Sequence, residues 1–362
     1  MFLDSQGFSA DSGEITLTLG AEWSESPIIP YVSQFREQLW TTGNLITLSN
    51  GTVRFEPNMA GKLDWGVFAY AATGKLLPSN STTSQKSGID HDRFIVYVWL
   101  TGDNFGTSAF PIVQQGWCGS LATVRELSLG IISSVRDNYL VDETGSWRVS
   151  SRDRSAGTVE LKTLKQTMAQ EVHTAIVSNA IRKFTEPARI ISGGSNSGSL
   201  DFQQSPGSKF FMMTTNLTFT SSARKSNDLK AGFRILSSQD EETLIYYQFS
   251  NESVIIDRSR SSAVAATSPG FLDNNEAGRL RLFDIVSANG STSVEPLQLT
   301  ILVDNSVVEV YANDRFVTST WIWSWFEEST GISFLYEGSE EVEFGEVQVF
   351  EGLPDAWPER VY

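Results

Sequence analysis

Ile15-Thr16-Leu17-Thr18-Leu19 alternates apolar and polar residues with period two, which sends its apolar side chains to one face of an extended segment. Phe94 to Leu100 is instead an unbroken β-branched and aromatic run, the pattern of a strand buried on both faces. Segments at 45–48, 52–55, 65–72, 121–129 and 146–149 predict further strands. Ser49-Asn50-Gly51 and Thr101-Gly102-Asp103 supply turn chemistry between them. From residue 210 the rhythm becomes regular, with strands predicted over 210–220, 232–236, 244–249, 254–257, 280–286, 297–303, 307–311, 316–321, 332–336 and 342–350. Asp304-Asn305 and Asn313-Asp314 mark tight hairpins among them. Short strands in close succession without intervening helices predict an antiparallel β-sandwich.

One stretch departs from this rhythm. Leu161, Leu164, Met168, Val172, Ile176, Ala180 and Phe184 recur at intervals of three or four, which predicts a helix over 159–184 that stops before Pro187. The polar run at 192–199 reads as a loop. The chain therefore divides into an amino-terminal β-rich unit at 1–155, a connecting segment with one helix at 156–190, and a sandwich at 191–362. A length of 362 residues agrees with two cores.

Composition narrows the chemistry. The formal charge of −16 opposes a polyanionic ligand, so nucleic acid is excluded as a partner. No apolar run approaches the roughly twenty residues of a membrane-spanning helix, so no membrane partner is expected. A single cysteine, Cys118, excludes an intrachain disulfide. The two histidines, His91 and His173, are too few and too far apart in sequence to suggest a metal site or Ser-His-Asp chemistry. Acid–base work in this chain falls to carboxylates. Met1 to Gly7 lacks the basic and apolar regions of a secretory signal. Five glycosylation sequons nevertheless occur, at Asn50, Asn80, Asn216, Asn251 and Asn289, slightly above chance for a chain this rich in serine and threonine.

Three segments carry a resemblance. Leu63-Asp64-Trp65-Gly66-Val67-Phe68-Ala69-Tyr70-Ala71 is similar to the D-[aromatic]-G-x-x-x-Y-A segment of glycoside hydrolase family 32, the β-fructofuranosidases and fructosyltransferases. Trp117 to Leu127 resembles that family's W-x-G-x-L-x-x-P-R-E-L strand, with Val124 in place of proline. Leu302 to Tyr311 resembles its L-V-D-x-S-x-V-E-V-F hairpin. The resemblance runs along the whole chain and is strongest to the fungal enzymes. It implies the last blades of a five-bladed β-propeller followed by a β-sandwich, a sucrose- or fructan-type sugar as partner, no cofactor, and a secreted protein.

Retaining glycosidases need two carboxyl groups about 5 Å apart across the sugar. The resemblance places the family's nucleophile in N-D-P, a transition-state aspartate in R-D-P and the acid/base glutamate in E-C. None of these motifs occurs in the 362 residues: Asn227-Asp228 and Asn313-Asp314 are not followed by proline, and Cys118 follows Trp117. The expectation is an inactive chain, with Met1 corresponding to an internal methionine of the family. The alternative is a non-enzymatic carbohydrate-binding or scaffold module. By resemblance the substrate-binding residues are Asp64, Tyr70, Tyr31 and Arg36, and Phe105-Gly106 stands where relatives carry an aromatic–acidic pair. Physical chemistry offers a plainer role for each group. Asp64 caps a turn before Gly66, Tyr70 is a packed strand residue, and Arg36 is a solvated cation near Glu37. Trp321, Trp323 and Trp325 form the densest aromatic cluster and suit burial between the two units better than stacking on sugars. Arg125-Glu126 reads as an ionic corner between the units, and Asp304 as a turn residue.

Overall fold

The computed structural model describes residues 14–22, 36–102, 119–143, 145–193, 198–264 and 273–354. It is all-β apart from short helices. In the amino-terminal half, β1 (Glu14–Glu22), β2 (Arg36–Thr47) and β3 (Val53–Asp64) form an antiparallel three-stranded sheet. A second antiparallel sheet follows, built from β4 (Ala69–Leu77), β5 (Arg93–Leu100), β6 (Ser120–Leu121), β7 (Arg125–Arg136), β8 (Trp147–Asp153) and β9 (Thr158–Met168). A one-turn helix, α1 (Thr82–Ser87), lies between β4 and β5, capped by Ser81 and closed by Gly88 in the left-handed region. Helix α2 (Gln170–Asn179) leads into the second half.

That half contains β10 (Arg182–Glu186), β11 (Arg189–Ile191), β12 (Gly198–Asp201), β13 (Phe210–Phe219), β14 (Lys230–Ser237), β15 (Thr243–Gln248), β16 (Ser253–Asp257) and β17 (Glu276–Arg279). It continues with β18 (Asp284–Val286), β19 (Thr292–Val294), β20 (Leu297–Asp304), β21 (Val307–Ala312), β22 (Phe316–Trp321), β23 (Gly331–Glu337), β24 (Val342–Phe344) and β25 (Val347–Glu351). One sheet has the order β10-β25-β13-β20-β21-β22, with β11 and β24 alongside, and the other runs β12-β23-β14-β15-β16-β17. Their inner faces share one core. Phe211, Met213, Ile301 and Val349 from the first meet Phe233, Ile245, Ile256 and Phe334 from the second. The expected antiparallel sandwich is the observed fold.

The helix expected over 159–184 is a strand followed by a shorter helix. Strand β9 pairs with both β7 and β8, which carries the amino-terminal sheets on to Met168, beyond residue 155. Leu161 packs with Val135, Trp147 and Phe283, whereas Leu164 packs with Leu127, Val98 and Trp321. The buried face of β9 switches between Thr163 and Leu164, which breaks the period-two signal, and the resulting spacing of its apolar residues imitates a helix. Two predicted strands are also interrupted. The stretch 280–286 turns before β18, and Gly345 separates β24 from β25. Of the loop expected over 192–199, residues 198 and 199 instead begin β12, which pairs with β23.

Among the contacts that join the halves outside their cores, two stand out. The β18–β19 hairpin leaves the sandwich and pairs with the end of β7 at Ile285 and Val135. Helix α2 is pinned by Arg93 on β5, whose guanidinium donates two hydrogen bonds to the Glu171 carboxylate at 2.8 and 2.6 Å. No side chain caps this helix at Ala169, so Glu171 in its first turn also faces the positive end of the dipole. The hydrogen bonds from Arg93 hold the Glu171 carboxyl down to about 2. Because this value lies below that of the unfolded chain, the stabilisation is complete above about pH 4.5 and is lost as pH falls towards 2. Glu171→Gln is expected to cost about 1–2 kcal/mol at neutral pH, the lower part of the range for a charged hydrogen bond because the carboxylate is partly exposed. Thermal melts of both proteins between pH 2.5 and 7 should converge as the pH falls. A gap that stays constant would show that the pair is not the cause.

Candidate functional site

The three segments that carry the family resemblance meet in space. Asp64, at the end of β3, accepts hydrogen bonds on Oδ1 from the backbone N–H of Gly66 at 2.8 Å and of Ser319 at 2.9 Å. Its Oδ2 accepts from Arg125 at 2.5 Å. Arg125 also donates to the Leu63 carbonyl at 3.1 Å and to Ser319 Oγ at 2.7 Å, and it lies 3.6 Å from Glu309. Glu309 in turn accepts from the N–H and hydroxyl of Thr123, both at 2.6 Å, and from the Tyr311 hydroxyl at 2.9 Å. The Arg125 and Asp64 side chains have no exposed surface. Burial opposes the guanidinium charge, but Asp64, Tyr311 and Glu309 outweigh it and raise its pKa further.

A second buried carboxylate stands beside the first. Glu276 accepts from the Val67 N–H at 2.8 Å and from the Thr320 hydroxyl, and it lies 3.1 Å from Arg258. Burial raises its carboxyl pKa, while Arg258 and these hydrogen bonds work the other way. Around both groups the halves interlock. Trp65 stacks on Phe316 at 6.2 Å, and its N–H donates to the Val317 carbonyl at 2.9 Å. Trp321 and Trp323 stack at 5.2 Å within the amino-terminal core, and Trp321 Nε1 donates to the Thr101 carbonyl at 3.1 Å. Trp325 stands apart from that burial and is half exposed.

Asp64 is thus a positioning residue, with no surface to offer a sugar. What it positions is the segment ending at Tyr70. Anchored at Gly66 and Val67, the chain enters β4, where the pairing with β5 shifts register between Tyr70 and Thr73. Ala71 sits at φ +49°, a left-handed value uncommon for a residue with a side chain. The displaced Ala72 N–H donates to Gln38 Oε1 at 2.9 Å instead of to the ladder. This bulge aims the half-buried Tyr70 ring over Gly20 of β1, where even a methyl group would come within 3.3 Å of Tyr70 Cε2. Bulges of this kind re-aim side chains and gather at functional positions. Tyr70 stands opposite Trp99 in register, so Gly20, Gln38, Tyr70 and Trp99 collect where the two amino-terminal sheets meet.

The remaining expectations fall as follows. Arg36 opens β2 opposite Glu22. Tyr31, Phe105, Gly106, Trp117 and Cys118 lie outside the described residues. Asp304 ends β20 before Asn305, which takes φ +51° in the hairpin. Glu126 pairs with Arg93 at 3.4 Å, so of the Arg125-Glu126 couple it is Arg125 that reaches across to the sandwich. All five sequon asparagines are exposed. Ser319, Glu276, Thr320 and Gln38 were not singled out from the sequence, because nothing local marks a serine or glutamine whose partner is many residues distant. Among the described residues no group of three or more His, Cys, Asp and Glu side chains could hold a metal ion.

The family model "Glycosyl hydrolases family 32 C terminal" matches residues 171–351, and the chain belongs to that family. It is similar to the solved β-fructofuranosidase of Aspergillus kawachii, with 50% identity and a TM-score of 0.89 over 97% of this chain and 56% of the other. It is also similar to the fructosyltransferase of A. japonicus, with 47% identity and a TM-score of 0.91 over 99% of this chain and 56% of the other. A curated relative from Aspergillus rugulosus, a putative glycosyl hydrolase named ecdE, is 25% identical over 286 residues, covering 78% of this chain and 31% of that protein. The chain therefore spans about half the length of the solved relatives and about a third of the curated one.

Proposed function

We propose that residues 14–168 form blades of a partial five-bladed β-propeller and present one side of a β-fructofuranosyl pocket at Tyr70. The sandwich holds these blades in place. The protein is then an extracellular member of a sucrose- or fructan-directed lineage that works without a cofactor. The observation that carries this reading is the Ala71 bulge, which takes Ala71 and Ala72 out of register just after Tyr70, seats the Tyr70 ring over Gly20, and is anchored through Gly66 to the Asp64–Arg125 pair. The similarity to a fungal β-fructofuranosidase and a fructosyltransferase at about half identity supports the choice of sugar.

Chemistry on that sugar needs a nucleophile and an acid/base pair, and the family motifs that supply them do not occur in this sequence. Catalytic groups that act as a unit cost several orders of magnitude when lost. Purified residues 1–362 are therefore expected to release neither fructose nor glucose from sucrose, inulin or short fructo-oligosaccharides. Calorimetry should instead detect weak, saturable binding of those sugars that drops at least about tenfold with Tyr70→Ala, or about 1.4 kcal/mol. Sucrose turnover abolished by Asp64→Ala would overturn the inactive reading. Absence of any sugar binding would overturn the pocket at Tyr70.

A further inference from the structure

The outer face of the large sandwich sheet changes character halfway along its strands. At one end Met212, Leu302 and Phe350 are apolar, and helix α2 covers them with Ile176, Val172 and Val177. Two residues further along each strand the same face becomes polar. Gln348, Thr214, Thr300 and Tyr311 stand opposite one another in register across β25, β13, β20 and β21. Asn216 and Gln298 form a second row, continued by Asn313, whose Oδ1 accepts from the Gln298 N–H at 2.9 Å. With Glu346, Pro296 and Asp314 these residues line an open groove of about 490 Å³, a size that falls within the range of ligand sites. Solvent exposure alone accounts for polar residues on such a face. It does not account for the content of the groove, which is mostly hydroxyl and amide groups around a tyrosine ring.

Asn216 is the acceptor of the sequon Asn216-Leu217-Thr218, and it is the sequon asparagine that lies inside this groove. Its side chain is exposed and lies across Gly345, where a methyl group would come within 2.3 Å of Oδ1. Glycine at 345 therefore clears the room that the Asn216 side chain occupies. By contrast, the Asn50 and Asn289 side chains are engaged in their own turns, accepting from the N–H of Thr52 and of Ser291.

We propose that Asn216 carries an N-linked glycan whose first sugars lie in this groove, bonded to Gln298, Thr300 and Gln348. In the attachment step the Asn216 amide nitrogen bonds to the anomeric carbon of a lipid-diphosphate-linked oligosaccharide. The carbon–oxygen bond to the diphosphate breaks, that group leaves with the electron pair, and the amide loses one proton. The glycan continues the cover that α2 begins, over the uncovered half of the same sheet. The proposal shares only the secretory route with the sugar-pocket reading, and neither depends on the other.

The test is secretion of residues 1–362 from a yeast behind a cleavable leader, followed by peptide mass spectrometry of the five sequons. Asn216 is expected to be occupied. An endoglycosidase should remove its glycan at least about tenfold more slowly from the folded protein than after denaturation, equivalent to about 1.4 kcal/mol of protection. Gln298→Ala with Gln348→Ala should abolish that protection while leaving occupancy unchanged. An unmodified Asn216 in the secreted chain overturns the proposal, whatever the other four sequons carry. So does an occupied Asn216 whose glycan is cut equally fast in both states. Saturable binding of free inulin fragments to Asn216→Gln protein, lost with the two glutamine substitutions, would assign the groove to a free sugar instead.

Discussion

Replacing Arg125 by leucine is expected to lower the unfolding free energy by about 3–5 kcal/mol, the cost of removing one partner of a buried ion pair. The substitution leaves Asp64 with a buried, uncompensated charge and takes a hydrogen bond from Ser319 and from the Leu63 carbonyl. Glu309 loses its nearby cation as well. Most of the loss is the penalty of the orphaned carboxylate rather than the worth of the pair, so neutralising that carboxylate should recover part of it. Chemical denaturation of Arg125→Leu, Asp64→Asn and the double variant forms the test. Additive losses would show that the two side chains do not act together. A double variant at least about 1 kcal/mol more stable than the sum of the singles is the expected outcome, because contacting charged residues couple by 0.5–3 kcal/mol.

Gly66→Ala should destabilise the protein to a similar degree by a different route. A Cβ at this position would lie 1.8 Å from the Ser319 carbonyl oxygen, and both sides of that contact are backbone. Neither can retreat without displacing β22 from the end of β3. Overpacking a well-filled site costs about 1–3 kcal/mol and occasionally more, and the absence of any flexible side chain to yield places this case at the upper end. Gly145→Ala is the control, since its Cβ would meet nothing closer than Trp147 at 4.0 Å. Its melting temperature should stay within a degree or two of the parent. The Gly66 variant should also lose sugar binding at Tyr70 out of proportion to its stability, because the same turn leads into the bulge. Retained binding at wild-type affinity would mean that the interface does not position Tyr70.

These two results would give the family motifs a physical meaning. Asp64, Gly66, Arg125 and Glu309 lie up to 245 residues apart in sequence, yet they form one buried cluster. What reads as a sugar-binding signature in the D-W-G segment is an interlock between the amino-terminal sheets and the sandwich. Within that segment Tyr70 is the residue that the proposed pocket uses. The acid at Asp64 serves through the backbone it holds.

Hydrophobic periodicity alone determined that this protein is all-β and that its second half is an antiparallel sandwich. Each of those strands has one face in the core and one towards water or a neighbour, so burial imprints period two on the chain. The pairing of residues such as Asp304-Asn305 with flanking apolar runs fixed the hairpins for the same local reason. Strand β9 escaped because its buried face switches between Thr163 and Leu164, so that Leu161 and Leu164 enter different cores. Local sequence has no sign for that. The short range of residues reserved for Asp64, Tyr70, Arg125 and Glu309 was legible, but not what each touches. Only the tertiary structure decided that Arg125 faces Asp64 rather than Glu126, that Ser319 closes the cluster, and that Gln38 takes the N–H freed by the bulge. A buried charge must find its partner wherever the fold brings one, and that distance in space is not written in the distance along the chain.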